Sequence, residues 1–283
     1  MTTMKPVNMN DVDFSKLDFS EVNNLDNGGK ICYANYGEDG GSLITSTGMM
    51  ELPWNMNVYD EADGGKSYAL SLSFKGRDTN PATKTFYEGL EALDEHMLQS
   101  GVDNQVEWLR KKGKTVDNMK EDYYTPNVRW GKDKETGEIS TQYPPRFQMK
   151  LVKKNGRWDF PVFSEDRKRF DLDEVKLDDL LVKGAKVKAL IKMTTVWTGA
   201  RGYGCKWKVL QMKVVKGQLF TEYAFDDEDD EDETMELSRT QTTEPTLTTD
   251  DVELDDEPLE EEEEEAPPPP KTKRSVKRVK KTA

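Results

Sequence analysis

A mainly β chain of the α+β class is what this sequence predicts: an OB-like Greek-key barrel with a helical insertion, followed by a disordered acidic and basic C-terminal tail. Three observations carry that expectation. Short β-rich runs broken by Gly-, Asn- and Asp-containing turns recur from Lys30 to Val214. One stretch of helical periodicity interrupts them after "SYALSLSFKG". From Phe225 onward the apolar pattern gives way to charge, Thr and Pro. Five or more short strands with a helix between two of them fit a small barrel such as an OB-fold, and other α+β folds fit as well.

In chain order, residues 1–28 are polar and Asn/Asp-rich and read as an extended arm. "KICYANY" (Lys30–Tyr36) and "SLITSTG" (Ser42–Gly48) read as strands around the turn "GEDGG". In "SYALSLSFKG", Tyr68, Leu70, Leu72 and Phe74 alternate with Ala69 and serines, the pattern of a half-buried strand. A helix follows: Thr79 or Asn80 can cap it, Pro81 suits its first turn, and Phe86, Leu90, Leu93 and Met97 form one apolar stripe. A shorter helix is expected over Asp103–Lys112. The polar segment 113–145 holds a hairpin about "KDKETGE". "RFQMKLVKK" and "RWDFPVF" flank Asn155-Gly156, the strongest short hairpin signal. After a helical turn at "LDDLLVKG" come the strands Lys186–Trp197 and Tyr203–Val214, joined by "TGARG".

Charge divides the chain. Residues 226–265 hold 22 acidic residues and one basic residue, Arg239; residues 271–281 hold 7 basic residues and no acidic ones. Removing these from the chain totals of 55 acidic and 41 basic residues leaves 33 of each in residues 1–225. The net charge of −14 therefore belongs to the tail, and the low isoelectric point excludes nothing about the partners of the body. The expected organisation is a nucleic-acid-binding body over 1–225 and a tail over 226–283: acidic 226–265, a Pro linker at 267–270, basic 271–281.

Catalysis is not expected. The single histidine, His96, falls on the amphipathic helix, and the two cysteines, Cys32 and Cys205, offer neither a disulfide framework nor a zinc motif. "GARGYG" lacks the Gly-Lys-Ser/Thr end of a phosphate-binding loop, and "DLDEVKLDD" reads as an acidic surface. No cofactor or metal is expected. With no apolar signal region and no run long enough to span a membrane, the chain reads as soluble and intracellular.

The densest mixture of aromatic and basic residues is "WTGARGYGCKWKVLQMKV", Trp197–Val214. A symmetric hairpin places Trp197 opposite Tyr203, Met193 opposite Trp207 and Ile191 opposite Val209 on one apolar side. Lys192 then faces Lys208 on a cationic side with Lys206. Facing lysines are costly unless an anion lies between them. Two readings fit: solvated edge lysines that discourage strand addition, or a cationic track for phosphates with aromatic platforms for bases, the combination that binds single strands without sequence preference. The second reading nominates Trp197, Tyr203 and Trp207 for stacking or platform support. Its phosphate contacts are Lys192, Arg201, Lys206, Lys208, Lys150, Lys153 and Lys154, with Trp158 in the neighbouring aromatic–basic cluster.

The pattern around Trp197–Val214, with "GCKWKVLQMKV" after a Gly-containing loop, resembles the replicative single-stranded DNA-binding proteins of nucleocytoplasmic large DNA viruses, including the poxvirus-type family, over roughly residues 183–216. In plan, the acidic tail resembles those of phage T7-type and bacterial single-stranded DNA-binding proteins, although the basic segment after it departs from their terminal acidic run. The resemblance implies an OB-fold body, sequence-independent binding of single-stranded DNA, docking of replication proteins on the tail, and a viral replication site in the host if the source is viral. Self-association is compatible with it. On physical grounds the tail can compete with DNA for the basic face at high local concentration. The alternative is an acidic-tailed chaperone for histones or other basic proteins, of nucleoplasmin-like plan, in which the tail is the working surface.

Overall fold

The computed structural model describes residues 6–25, 29–61, 64–133 and 136–217. Residues 218–225 and all the tail segments lie outside the described residues. Eight strands carry the architecture: β1 (Lys30–Tyr36), β2 (Ile44–Ser46), β3 (Met50–Glu51), β4 (Asn57–Asp60), β5 (Lys66–Ser73), β6 (Arg146–Leu151), β7 (Lys186–Gly199) and β8 (Gly202–Val215). They belong to one large mixed sheet, and five of them close on themselves in the order β3–β5–β6–β8–β7–β3. Closure leaves these strands without the unpaired edges that an open sheet exposes. Within the ring only β6 and β8 run parallel.

The ring encloses the core because its strands alternate. Leu70, Leu72 and Phe74 from the β5 region, Phe147, Met149 and Leu151 from β6, Ile191 and Met193 from β7 and Val209, Met212 and Val214 from β8 are all almost fully buried. The half-buried expectation for β5 is corrected in part, since Ser71 and Ser73 on its other face are buried too.

Helix α1 (Pro81–Asp103) begins where the sequence places it, with the Asn80 side chain accepting from the backbone N–H groups of Ala82 and Thr83. Its stripe of Phe86, Leu90, Leu93 and Met97 is buried, and Phe86 meets Phe147 edge-on at 5.2 Å. Two glycines permit close approach: a Cβ on Gly89 would lie 2.9 Å from the Met9 carbonyl carbon, and one on Gly101 would overlap the Tyr203 ring. The second helix is shorter than expected, α2 (Gln105–Leu109), because Arg110 turns into the left-handed region with φ 54.

The N-terminal arm is not free. Met9, Val12 and Leu17 are buried in the core, and Leu17–Phe19 pairs with β1. The Asn155-Gly156 turn forms as expected, with φ values of 52 and 78. It joins only Lys153–Lys154 to Arg157–Trp158, because β6 is committed to β5. The other expected hairpin reduces to Gly131–Lys132 with Ile139–Ser140.

One partly buried carboxylate ties α1 to the barrel. Asp94 accepts hydrogen bonds from the Tyr124 hydroxyl (2.6 Å), the Asn127 backbone N–H (2.9 Å), the Asn127 side-chain amide (2.7 Å) and the Val128 N–H (3.1 Å). Burial pushes its carboxyl above the ordinary range, against those four donors. Asp94→Ala would remove the acceptor that these four donors share at a partly buried site. It is expected to lower unfolding stability by about 3 kcal/mol, read from urea denaturation at neutral pH.

Candidate nucleic-acid interface

The β7–β8 hairpin is not symmetric. Met193 pairs with Trp207 and Lys192 with Lys208 as expected, but the next pair is Thr195 with Lys206. Thr194 is the extra residue, and its hydroxyl donates to the Lys206 carbonyl (3.0 Å). A second irregularity, at Leu210, restores the balance lower down, between the Ile191–Val209 and Leu190–Gln211 pairs. A one-residue insertion moves every later side chain to the opposite face. Trp197 therefore pairs with Gly204, not Tyr203, and turns away from the side that holds Met193 and Trp207.

Two of the expected stacking residues are corrected by their burial on the apolar side of β8, which the offset at Thr194 leaves unchanged. Tyr203 is fully buried, donates its hydroxyl to the Met97 carbonyl (3.0 Å), and lies against Trp108 and Tyr124. Trp207 is also in the core, and its indole N–H donates to the Asn127 side-chain oxygen (2.7 Å). Neither ring is open to a base. They anchor the hairpin from inside.

Trp197 is half-buried on the outer face. Its indole lies over Gly204, where a Cβ would come within 2.8 Å of Nε1 and 3.1 Å of two ring carbons. Beside it is Tyr33, 52% exposed, which sequence reading missed. Tyr33 pairs with Thr195 and Ile31 with Trp197, so the two aromatic residues are diagonal neighbours on one face, about 7 Å apart. "KICYANY" is compatible with either face turning inward, so only the pairing with β7 reveals that Tyr33 points outward.

The same face carries a row of lysines. Lys192 pairs with Lys208, and Lys208 pairs with Lys150 on β6. Lys206 lies one row toward Trp197. The anion that facing lysines call for is supplied by the protein: the Asp159 carboxylate accepts from Lys208 and lies 3.0 Å from Lys154. Lys150 reaches Glu61 at 3.8 Å. Lys192 has no ion pair among the described residues. Arg201 sits in the two-residue turn between β7 and β8. Lys153 and Trp158 form a separate cluster: the Lys153 ammonium sits 4.3 Å from the ring centres of both Tyr68 and Trp158. The row comprises Lys192, Lys208 and Lys150. Lys206 and Trp197 join it from the tip side and Lys154 through Asp159.

The other chemical candidates are structural. His96 stacks on Phe14 at 5.7 Å, and burial lowers its pKa. Both cysteines are free; burial pushes the Cys32 thiol up to about 11 and the Cys205 thiol up to about 12, which keeps them as unreactive thiols. Among the described residues there is no group of three or more His, Cys, Asp or Glu side chains placed to hold a metal. No helix among them is long and apolar enough to cross a membrane.

No protein-family model matches the chain, and no curated protein matches it in sequence. The resemblance of residues 183–216 to the poxvirus-type family thus has no support from a family model or a sequence relative. Among solved structures, the chain is distantly similar to gp2.5, a single-stranded DNA-binding protein encoded by bacteriophage T7. The TM-score is 0.36 and the identity 14%, over 71% of this chain and 100% of that one. A likeness so loose carries no argument about function.

The pairing at Asp159 has a measurable signature. Hydrogen bonds from Lys208, then Lys154, hold its carboxyl below the ordinary value of 3.8. A depressed carboxylate contributes stability above its ordinary pKa, and that contribution is lost as pH falls through the folded value. Carboxyl NMR should find Asp159 titrating below 3.8, and Lys208→Met should move it back upward.

Proposed function

We propose that the outer face of β1, β7, β8 and β6 binds single-stranded DNA without sequence preference, and that the chain serves DNA replication, recombination or repair without itself being an enzyme. The observation that carries this reading is the juxtaposition of Trp197 and Tyr33 with the Lys192–Lys208–Lys150 row. Aromatic faces accept any base by stacking, and lysines on the same surface accept the backbone that joins the bases. A solvated edge would need the lysines but would gain nothing from a tryptophan spread over a glycine. The ring order supports an OB-type barrel: in chain order the ring strands are neighbours as first, second, third, fifth and fourth, a Greek-key crossing. In this reading the acidic run 226–265 competes with DNA for the lysine row and docks replication proteins when displaced.

Fluorescence anisotropy with labelled oligo(dT) over a salt series tests it. Trp197→Ala and Tyr33→Ala should each weaken binding about tenfold, in the range of one lost base stack. Lys192→Ala should weaken binding at low salt and reduce the slope of log K against log salt by about 0.7. A chain ending at Phe225 should bind more tightly than the full chain. No binding by either length would overturn the proposal, and binding of basic proteins by the full chain alone would favour the chaperone reading.

A further inference from the structure

We infer that the bound strand runs lengthwise along the β7–β8 hairpin, from Trp197 over the Lys192–Lys208 pair to a second rung made of Lys188, Lys213 and Phe163; this rests on the function just proposed and gives the strand its path. None of these three residues is among those the sequence nominates. Their meeting depends on the offset at Leu210. Lys208 and Lys213 are five residues apart on β8, so uninterrupted alternation would turn them to opposite faces. The extra residue brings them to one face, while Val209 and Met212 are both buried on the other. Lys213 then pairs with Lys188. Lys188 is four residues from Lys192 on β7, about 13 Å along an extended strand. The pair Leu190–Gln211 lies between the two lysine pairs.

The second rung continues across the sheet. In the short strand Val162–Phe163, Phe163 pairs with Lys213 and Val162 with Met212. Val162 and Met212 are fully buried, so Phe163 takes the outer face with Lys213. Phe163 is half-buried, and unlike Trp158 and Phe170 it does not pack on the main core. Trp197 shares both properties. Phe163 pairs in turn with the exposed Arg169. The row thus sets three cations beside one aromatic ring. The acids bordering it are Glu51, which reaches Lys75 at 3.6 Å, and Glu165 and Asp166 in the turn after Phe163, where Arg167, Lys168 and Arg169 outnumber them. Lys188 and Lys213 have no ion pair among the described residues. Like charges directly opposite one another are destabilising, and a phosphodiester laid between them relieves that repulsion. Lysines alone suit any polyanion. A half-open ring in the row, with Trp197 at the far end, suits a polyanion whose bases are free to stack, which is a single strand rather than a duplex. From Trp197 to Lys188 is nine residues, about 30 Å. A strand that reaches both rungs must be longer than one that touches Trp197 and the first.

The test uses the full chain, a length series of oligo(dT) from about 4 to about 16 nucleotides, and the variants Phe163→Leu, Lys188→Gln with Lys213→Gln, and Trp197→Ala. Phe163→Leu is expected to weaken the longest oligonucleotide about tenfold. The double lysine variant should reduce the slope of log K against log salt by about 1.4 for the longest oligonucleotide. Both should leave the shortest unchanged and shorten the length at which affinity stops rising, whereas Trp197→Ala should weaken every length. Photocrosslinking of an iodouracil-substituted long oligonucleotide to the unaltered chain should mark Phe163. Circular dichroism and thermal melting identify any variant that fails to fold; Lys188→Gln alone, at an exposed position, then carries the test with the crosslink. If the parent binds and Trp197→Ala weakens it, while the Phe163 and lysine variants match the parent at every length and no crosslink forms at Phe163, the second rung is overturned and the proposed function stands. An equal loss at every length in the lysine variants, with Phe163→Leu silent, assigns them to long-range charge and overturns the rung as well. If the parent binds no oligonucleotide at any length, the function and the rung fall together.

Discussion

The register of the β7–β8 hairpin is the constraint on which the rest depends. Each strand is 14 residues long, and the other ring strands are hung on them: β3 on β7, β6 on β8. The Thr194 hydroxyl on the Lys206 carbonyl pins one extra residue, and the offset at Leu210 restores the alternation below it. Between the two offsets, Ile191, Met193, Trp207 and Val209 fill the barrel. On the tip side, the same alternation delivers Trp197 outward and Tyr203 inward. The bulge lets one strand, β7, turn Met193 into the core and Trp197 out to the surface, although their spacing would otherwise put both on one side.

The inward half of that division is secured by α1 and the 124–128 segment. Asp94 gathers Tyr124, Asn127 and Val128, and Asn127 in turn satisfies the Trp207 indole. Tyr203 closes the arrangement by donating to the Met97 carbonyl, its ring lodged against Gly101. A buried tryptophan and two buried tyrosines each need a partner for a polar atom in a dry interior. The helical insertion meets that need, so it is part of the machinery that holds the hairpin in register. The outward half is electrostatic. Asp159 between Lys208 and Lys154 makes a crowded cationic row tolerable without a ligand.

Much of the fold was legible in single residues. Asn80-Pro81 announced the start of α1 and the Phe86–Met97 stripe its buried side; Asn155-Gly156 announced a hairpin turn. The site was legible only in part. Lys192, Lys208 and the Met193–Trp207 pair follow from a symmetric hairpin, and the structure keeps them. Alternation already puts Tyr203 and Trp207 on the apolar side, where the structure buries them; the side that Trp197 takes depends on the extra residue at Thr194, which alternation does not show. Tyr33 and Asp159 were not found, since the pairing of Tyr33 with β7 and the contact of Asp159 with Lys208 join positions distant in the chain.

By itself, the sequence determined the local matters: which segments extend, which one coils, where turns fall, and that charge is segregated between a neutral body and an acidic, then basic, tail. Backbone preference and side-chain period are properties of neighbours in the chain, so they can be read there. Tertiary structure alone decided which face of each strand meets water, which carboxylate neutralises which lysine, and that two aromatic residues more than a hundred and sixty positions apart in the chain become neighbours. Those outcomes depend on strand register, which in the β7–β8 hairpin turns on two extra residues, Thr194 and Leu210.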